Sequence, residues 1–325
     1  MNIMLLAAGE GTRLRPHTLK TPKPAIPFLN VPLAFYSLHL APKANILVVN
    51  TYHLAQKIQK LFTDFSSTKH DKAPHSLKFS NETEKILGSG GGLGHARDCF
   101  DNADEILLMN SDEVILPISP VNWDAVLFLH RAKAAISTLF VMEHPEVGSK
   151  FGGVWVNDKD QVIGFGKTRP EGTVKGFHFV GIQILDQRVF KYIPRGEESN
   201  ILHDVLTKAI AAGEVINLYR INCHWFETGN ESDFLSATHD CLKLYESSEY
   251  LQGLLNSFSP NSIMDEVNHS IVLKDKNSDL PANVVVNDFA VIGAGVKLPI
   301  GAQLTKAVIG AEAPMTENKI SGLYL

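Results

Sequence analysis

The chain has 325 residues, a formal net charge of −5, 20% charged residues and 44% hydrophobic residues. This composition predicts a globular protein of about two domains, and it excludes a disordered chain, a collagen and a disulfide scaffold. We expect no nucleic-acid partner because the chain has no basic stripe, and no membrane span because no apolar run approaches about 18 residues. The three cysteines lack metal-finger spacing, and the apolar Met1–Ala8 has no basic start, so a reduced, cytoplasmic compartment is expected.

The first 110 residues alternate short apolar runs with amphipathic stretches. This pattern predicts parallel βαβ units with helices on both faces of one sheet, and a ligand site beyond the carboxyl ends of the strands. The predicted strands are Asn2–Ala8, Ala44–Asn50, Leu77–Ser80 and Glu105–Asn110. The predicted helices are Pro32–Leu40, Leu54–Phe62 and Gly94–Cys99.

From Ala135 the pattern changes to strands that are separated by turns, which predicts a more mixed addition to the sheet. The predicted strands are Ile136–Glu143, Gly153–Asn157, Gln161–Gly166, Phe177–Leu185 and Glu214–Ile221. The predicted helices are Ile201–Ala212 and Ser232–Glu246. We therefore expect an α/β fold with a Rossmann-like mixed, mostly parallel sheet that is flanked by helices.

The last part of the chain repeats short apolar segments every six residues. These segments are Val284–Val286, Ala290–Ile292, Val296–Leu298 and Ala302–Leu304. A six-residue period predicts a short C-terminal left-handed β-helix-like segment, with a Val- and Gly-rich strand meander as the alternative. The expected organisation is a domain over 1–245, a helical linker over 246–262 and a hexapeptide-repeat tail over 263–325. We expect the tail to cap the core or to form a homo-oligomer interface.

The segment Leu6–Pro24, LAAGEGTRLRPHTLKTPKP, has the clearest functional pattern in the chain. Gly9 and Gly11 follow a buried strand, where they permit a sharp turn and a close approach to a ligand. Successive N–H groups in such a turn form an anion-binding nest, and Arg13 and Lys23 add two positive charges suited to phosphates. The spacing does not match a dinucleotide fingerprint or a Walker loop. The pattern therefore predicts a site for a polyphosphate.

This string resembles the signature of the sugar-1-phosphate nucleotidylyltransferases, also called NDP-sugar pyrophosphorylases, and the resemblance extends over residues 1 to about 245. It implies a fold of the nucleotide-diphospho-sugar transferase type. It also implies the reaction of an NTP with a sugar 1-phosphate to give an NDP-sugar and pyrophosphate, with Mg²⁺. The catalytic residues implied are Arg13, Lys23 and Asp112. The nucleotide-binding residues implied are Leu6, Ala7, Ala8, Gly9, Gly11, Thr12, Arg13, Lys23, Gly88, Ser89 and Gly90.

Two further motifs carry the resemblance to the nucleotide side of the reaction. The segment Leu87–Leu93 is similar to the nucleobase loop of mannose- and heptose-1-phosphate guanylyltransferases and of N-acetylmuramate-1-phosphate uridylyltransferases. Asp112 matches the acid of the family's N-G-D motif, and Glu227 matches the acid of its W-x-D-x-G motif. The resemblance therefore implies that Asp112 and Glu227 are the Mg²⁺ ligands.

The resemblance also implies a sugar side, with Gly152, Lys167 and Gly181 as sugar-phosphate-binding residues. GTP with a mannose-type sugar is slightly favoured, and UTP with N-acetylmuramate is next. Three positions depart from the family pattern: Ser111 replaces a glycine, Gly166 replaces a glutamate and Glu227 replaces an aspartate. These departures leave a non-catalytic, NDP-sugar-binding regulatory homologue as the alternative.

Overall fold

The computed structural model describes residues 1–100, 104–311 and 313–325. The elements of the first part of the chain are β1 (Asn2–Leu6), β2 (Pro27–Phe28), β3 (Val31–Pro32), α1 (Leu33–Leu40), β4 (Ile46–Thr51), α2 (Ala55–Ser66), β5 (Ser76–Asn81), α3 (Gly88–His95), β6 (Glu105–Asn110), β7 (Val114–Pro117) and α4 (Trp123–Ala132). Those of the middle part are β8 (Ser137–Met142), β9 (Gly153–Val156), β10 (Val162–Gly166), β11 (Lys175–Asp186), α5 (Thr207–Ala211), β12 (Ile216–Arg220), β13 (Cys223–Phe226), α6 (Glu231–Leu244) and α7 (Glu249–Phe258). Those of the last part are β14 (Ser262–Val267), β15 (Ser270–Asp275), β16 (Val285–Ile292), β17 (Gln303–Ile309) and β18 (Lys319–Tyr324).

The chain forms two compact units, each of which is built from several segments. Unit 1 consists of Met1–Gly9, Leu40–Ser111 and Pro117–His224, and unit 2 consists of Glu10–His39, Asp112–Leu116 and Trp225–Leu325. No helix in the described ranges has both the length and the apolar character that crossing a membrane requires.

Unit 1 is organised around a nine-stranded mixed sheet with the order β10-β9-β11-β6-β1-β4-β5, in which β8 joins β11 to β12. Strands β6, β1, β4 and β5 are parallel, and β11 runs antiparallel to β6. Leu6 lies opposite both Asn50 and Asn110, so the carboxyl ends of three strands meet at one edge of the sheet. This architecture confirms the predicted α/β fold.

The core of unit 1 explains why the apolar runs form strands. Met4, Val48 and Leu108 on the central strands are fully or almost fully buried, and they pack in one cluster with Leu93 of α3 and Val205. Each such side chain contributes about 1.5–3 kcal/mol on burial, which favours strands that bury both faces of the sheet under helices.

One local prediction is wrong. The glycine-rich segment that was expected to be a loop forms helix α3, which ends at His95, and a separate 3₁₀ turn follows at Arg97–Phe100. This difference reflects tertiary contacts, because α3 packs through its glycines against the residues that precede Ile201. The predicted helix at residues 201–212 is present, and it begins as a π-helical turn over Ile201–Leu206 before it continues as α5.

The tail sheet of unit 2 has the order β14-β15-β16-β17-β18, and all of its pairs are parallel except β14 with β15. Ile271 lies opposite Phe289, and Val286 lies opposite Leu304, so one coil spans 18 residues, or three six-residue periods. This stacking is compatible with the predicted β-helix-like segment. The repeating segment Val296–Leu298 forms no strand, and Lys297 makes only an isolated parallel bridge to Asp279, while Val296 and Leu298 are buried in the tail core.

Candidate functional site

The phosphate-loop candidate of unit 2, residues 10–25, folds through three consecutive 3₁₀ turns, which are Thr12–Leu14, His17–Leu19 and Lys23–Ala25. Gly11 has a left-handed φ of +61°, and a Cβ there would lie 2.8 Å from Thr18 Cγ2 and 3.3 Å from Lys23 Cβ. The Thr18 hydroxyl donates a hydrogen bond to the Gly11 carbonyl at 2.9 Å. Gly11 therefore lets the loop close on itself and bring Lys23 under the turn.

Lys23 is paired with Asp112. The Lys23 Nζ donates a hydrogen bond to Asp112 Oδ2 at 2.7 Å, and the Lys23 side chain is only 11% exposed. Asp112 comes two residues after the end of β6 in the sequence, and its own side chain is 34% exposed. The hydrogen bond and the burial of the ammonium hold both side chains in position.

Arg13 and Glu227 form a second pair, with 4.0 Å between Nη1 and Oε1. Both side chains lie against the backbone of Gly229, where a Cβ would lie 2.6 Å from Arg13 Nη2 and would also clash with the Glu227 carboxylate. A side chain at 229 would therefore displace the charged ends of Arg13 and Glu227 from their positions over this backbone.

Thr228 joins the two pairs. Its hydroxyl donates a hydrogen bond to the backbone carbonyl of Asp112 at 3.0 Å. This hydrogen bond connects the loop that carries Glu227 to Asp112, whose carboxylate accepts the hydrogen bond from Lys23. Unit 2 therefore brings together all four of the predicted charged residues, which are Arg13, Lys23, Asp112 and Glu227. Sequence reasoning missed Thr228, although its position directly after Glu227 is a signal that could have identified it.

Unit 1 contains a buried polar network that the sequence analysis also missed. Asn50, at the end of β4, accepts the Ala7 N–H at 2.6 Å and donates from Nδ2 to Glu82 Oε1 at 2.7 Å. The other Glu82 oxygen accepts the Leu87 N–H at 2.7 Å. The side chains of Asn50 and Glu82 are both buried, and each of the three N–H donors in the network has an acceptor. The network therefore holds the end of β1 and the start of α3 in place.

Glycines let α3 pack against this network and against the segment around Ser199. A Cβ on Gly92 would lie 2.9 Å from both Asn50 Nδ2 and Glu82 Oε1, and one on Gly90 would lie 2.7 Å from Ser199 Oγ. The Gly90 N–H donates to the Ser199 carbonyl at 2.8 Å. These glycines thus serve close packing within unit 1, and the expected nucleotide contacts of Gly88, Ser89 and Gly90 stay a prediction.

Ser111, which replaces a glycine of the family pattern, has a defined structural role. It is buried, and its hydroxyl donates a hydrogen bond to the Leu6 carbonyl at 2.6 Å. The extra side chain therefore joins β6 to the end of β1, and its hydroxyl is satisfied there.

The predicted sugar side lies on β9, β10 and β11 of unit 1. A Cβ on Gly152 would lie 3.3 Å from the Gly166 Cα, and Trp155 Nε1 donates to the Gly166 carbonyl at 2.8 Å. Lys167 follows Gly166 and is exposed, whereas Gly181 lies in β11 with a left-handed φ of +79°. The structure thus brings Gly152 next to the backbone that precedes Lys167, while Gly181 is on another strand.

A histidine on β11 has a strongly altered protonation equilibrium. The His178 ring packs against Phe151 and His144, with ring centroids 5.1 Å and 5.6 Å away. Burial, and to a lesser extent the nearby His144, lowers the pKa of His178 to about 4. His178 is therefore neutral at neutral pH and belongs to the packing of this side of the sheet.

The carboxylates of unit 2 are the candidate metal ligands. Within the described residues, no group of three or more His, Cys, Asp and Glu side chains forms a ready metal site. Asp112 and Glu227 supply two hard oxygen ligands, and Mg²⁺ is commonly held by one or two carboxylates together with substrate phosphates. The donor set thus fits a magnesium ion that binds with its phosphate substrate.

Comparisons with known proteins identify the family of the chain. The sequence model of the family described as "Nucleotidyl transferase" matches residues 2–243. A UTP–glucose-1-phosphate uridylyltransferase of Synechocystis is 28% identical over 74% of this chain and 63% of its own length, so the chain spans less than two thirds of that relative. A mannose-1-phosphate guanylyltransferase of Mycobacterium tuberculosis is 24% identical over 95% of this chain and 79% of its own.

The solved structures show the same fold. The crystal structure of a UDP-glucose pyrophosphorylase complexed with UDP-glucose matches with a TM-score of 0.59 and 20% identity, over 74% of this chain and 98% of the other. Because the family model covers well over half of the chain, the resemblance read from the signature is confirmed, and the chain belongs to the nucleotidyl transferase family.

Proposed function

We propose that the chain is a sugar-1-phosphate nucleotidylyltransferase, which forms an NDP-sugar and pyrophosphate from an NTP and a sugar 1-phosphate. The observation that carries the proposal is the set of two cation–carboxylate pairs, Lys23 with Asp112 and Arg13 with Glu227, in a chain that belongs to the nucleotidyl transferase family. Charged groups of both signs in one site suit a reaction in which the bonds that form and break are those of phosphates.

In the proposed reaction, a phosphate oxygen of the sugar 1-phosphate attacks the α-phosphorus of the NTP. A new P–O bond forms, the bond to the β-phosphate oxygen breaks, and pyrophosphate leaves with the electron pair. Lys23 and Arg13 would neutralise the charge that develops on pyrophosphate, and Lys167 would hold the sugar phosphate. No covalent protein intermediate is needed, since the substrate supplies its own nucleophile.

Asp112 and Glu227 would hold Mg²⁺ when the NTP binds, and the ion would supply charge neutralisation and alignment of the phosphates. Lys23, which donates to Asp112 in the free protein, would donate to a phosphate oxygen of the NTP once that anion is bound. Leu6, Ala7, Ala8, Gly9, Gly11 and Thr12 would contact the nucleotide, together with Gly88, Ser89 and Gly90. Gly152 and Gly181 would line the sugar.

We infer GTP and a mannose-type sugar as the first substrate pair and UTP with an N-acetylmuramate-type sugar as the second. The Mycobacterium tuberculosis guanylyltransferase supports the first pair because its match covers 95% of this chain and includes the tail. The Synechocystis uridylyltransferase supports UTP as the nucleotide of the second pair, because its identity of 28% exceeds the 24% of the guanylyltransferase. Its match covers a smaller part of the chain, 74%. We further infer a cytoplasmic location, a catalytic domain over 1–245, a linker over 246–262 and a tail over 263–325 that forms a homo-oligomer interface.

Pyrophosphate release is the test of the proposal. Purified protein with Mg²⁺ would be offered ATP, CTP, GTP, UTP and dTTP, each with mannose, glucose, N-acetylglucosamine, N-acetylmuramate and heptose 1-phosphates. Pyrophosphate release with GTP and mannose 1-phosphate supports both the proposed reaction and the proposed substrates. Pyrophosphate release with another pair supports the proposed reaction and identifies that pair as the substrates. A folded protein that releases pyrophosphate from none of the pairs would overturn the proposal.

A further inference from the structure

Glu231, the first residue of α6, links two parts of unit 2 that are far apart in the sequence. Its Oε1 accepts the N–H of Leu323 in the terminal strand β18 at 3.1 Å. Its Oε2 lies 3.9 Å from Nε2 of His17, which is in the second 3₁₀ turn of the phosphate-loop candidate, between Arg13 and Lys23. One carboxylate therefore contacts both the end of the tail and the loop proposed to bind phosphates.

The contact with β18 depends on a glycine. Gly322 has a left-handed φ of +98°, and a Cβ there would lie 2.7 Å from Glu231 Oε1. Any side chain at 322 would therefore have to displace the carboxylate or the strand. Since β18 is held in the tail sheet by its parallel ladder with β17, the carboxylate is the group that has to move.

Glu231 also lies at the end of the short loop 227–231, whose other members contact the proposed catalytic groups. Glu227 faces Arg13, and Thr228 is hydrogen-bonded to the Asp112 carbonyl. Asn230 caps α6 by accepting the Asp233 N–H at 3.0 Å, which makes the loop short and defined at both ends. Glu231 is thus only four residues from Glu227, at the opposite end of the same short loop.

We propose that Glu231 is a positioning residue that couples the terminal strand β18 to the side chains of the phosphate and metal site. The roles of Arg13, Asp112 and Glu227 in this statement rest on the proposed function. The coupling itself rests only on the contacts of Glu231, and it assigns to the tail a part in ordering the site, in addition to any role at an oligomer interface.

The tail has a second attachment that does not involve Glu231. Asn30, in the turn between β2 and β3, donates from Nδ2 to Ser262 Oγ and to the Ile292 carbonyl, each at 3.1 Å. His239 of α6 also pairs with Asp288 of β16 at 3.1 Å. Variants that break the Glu231 contact should therefore keep the tail folded on unit 2, which allows a positioning effect to be separated from unfolding.

The decisive comparison uses two glycine variants in the tail, Gly322→Ala and Gly301→Ala. Gly301 has a similar left-handed φ of +78°, but the nearest atom to a Cβ there is Asn283 Nδ2 at 3.8 Å. The Gly301→Ala variant therefore has a comparable backbone strain but makes no contact with Glu231. Glu231→Ala and Glu231→Gln form a second pair, because glutamine keeps an acceptor for the Leu323 N–H and loses only the charge that faces His17.

Hydrogen exchange of the full-length protein, measured by mass spectrometry, is the first readout. We expect faster exchange in residues 12–19 and 227–231 for Gly322→Ala and Glu231→Ala, and wild-type exchange there for Gly301→Ala. The second readout is the KM for the NTP, which should rise by about three- to tenfold in the same two variants, as expected for the loss of one hydrogen bond, while kcat changes less. Glu231→Gln should restore most of the exchange protection in 227–231.

Equal exchange in Gly322→Ala and Gly301→Ala, or unchanged exchange in Glu231→Ala, would overturn the coupling. Because exchange is measured without turnover, this result is independent of the reaction. A wild-type protein that releases no pyrophosphate but shows the expected exchange pattern would support the coupling and count against the proposed function alone.

Discussion

Lys23 and Asp112 are 89 positions apart in the sequence, yet the Lys23 ammonium donates a 2.7 Å hydrogen bond to the Asp112 carboxylate. The pair joins the loop after β1 to the residues after β6, so one cation and one anion from distant parts of the sequence lie together in unit 2. Such an arrangement suits a site that has to bind phosphates and a metal ion in the same place.

Replacement of Lys23 by methionine should lower turnover by at least about 10², because the charge that stabilises the leaving pyrophosphate would be lost. Lys20→Met is the matched control, since Lys20 lies in the same loop and is exposed. Steady-state pyrophosphate release under saturating substrates would measure both variants. Similar turnover in the two variants would contradict the assignment of Lys23.

Gly9 and Gly11 should respond differently to alanine. Gly11→Ala places a Cβ 2.8 Å from Thr18 Cγ2 in a left-handed conformation and should cost about 1–3 kcal/mol of unfolding free energy. Gly9 has no atom within 4 Å of a Cβ position, so Gly9→Ala should change stability by less than about 0.5 kcal/mol while weakening NTP binding. Urea unfolding and nucleotide titration test the pair, and equal losses of stability would refute this distinction.

The buried Glu82 should contribute strongly to the stability of unit 1. Glu82→Ala leaves the Leu87 N–H and the Asn50 side-chain amide without their acceptor, and each buried unsatisfied group costs about 1–3 kcal/mol. We therefore expect a loss of at least about 2 kcal/mol in urea unfolding, and a smaller loss for Glu82→Gln. The exposed neighbour Glu84 is the control, and a Glu84→Ala variant as unstable as Glu82→Ala would argue against the network.

His178 should make the protein less stable in acid. Its folded-state pKa is lowered to about 4, below the usual value of 6.5, so the unfolded chain binds a proton at pH 5 and the folded chain does not. Stability from this residue is therefore fully present above about pH 6.5 and falls by about 2 kcal/mol on going from pH 7 to pH 5.

Replacement of His178 by phenylalanine should remove that part of the acid sensitivity. The measurement is the free energy of unfolding in urea at pH 7 and at pH 5 for both proteins. The expected result is a smaller difference between the two pH values in the variant, and an unchanged difference would show that His178 does not titrate as described.

The sequence predicted those parts of the fold that local patterns determine. The apolar run Glu105–Asn110 is β6 with the same bounds, because a continuous apolar stretch followed by polar residues suits a strand buried on both faces. The sequence signature also predicted that Arg13 and Lys23 belong to one charged loop. This prediction was possible because the glycines, prolines and cations of the signature all lie in one short segment of local turns.

Long-range packing determined what the sequence could not predict. Five glycines in an eight-residue segment normally indicate a loop, and only the close approach of Ser199 and Glu82 makes α3 a helix. The Asn50–Glu82 hydrogen bond joins residues 32 positions apart, and no local pattern marks either partner. The sequence also gives no sign of the contact between Glu231 and β18, because acidic residues are common in the first turn of a helix.

The composition of α3 has a consequence for the order in which unit 1 loses structure. Each glycine in a helix interior costs about 1 kcal/mol relative to alanine, so α3 has almost no tendency to be helical by itself. Its helical state is supported from outside, by the carbonyl of Ser199 and by the buried amide and carboxylate that its glycines contact. Heating should therefore melt α3 as a subglobal opening before the central strands separate.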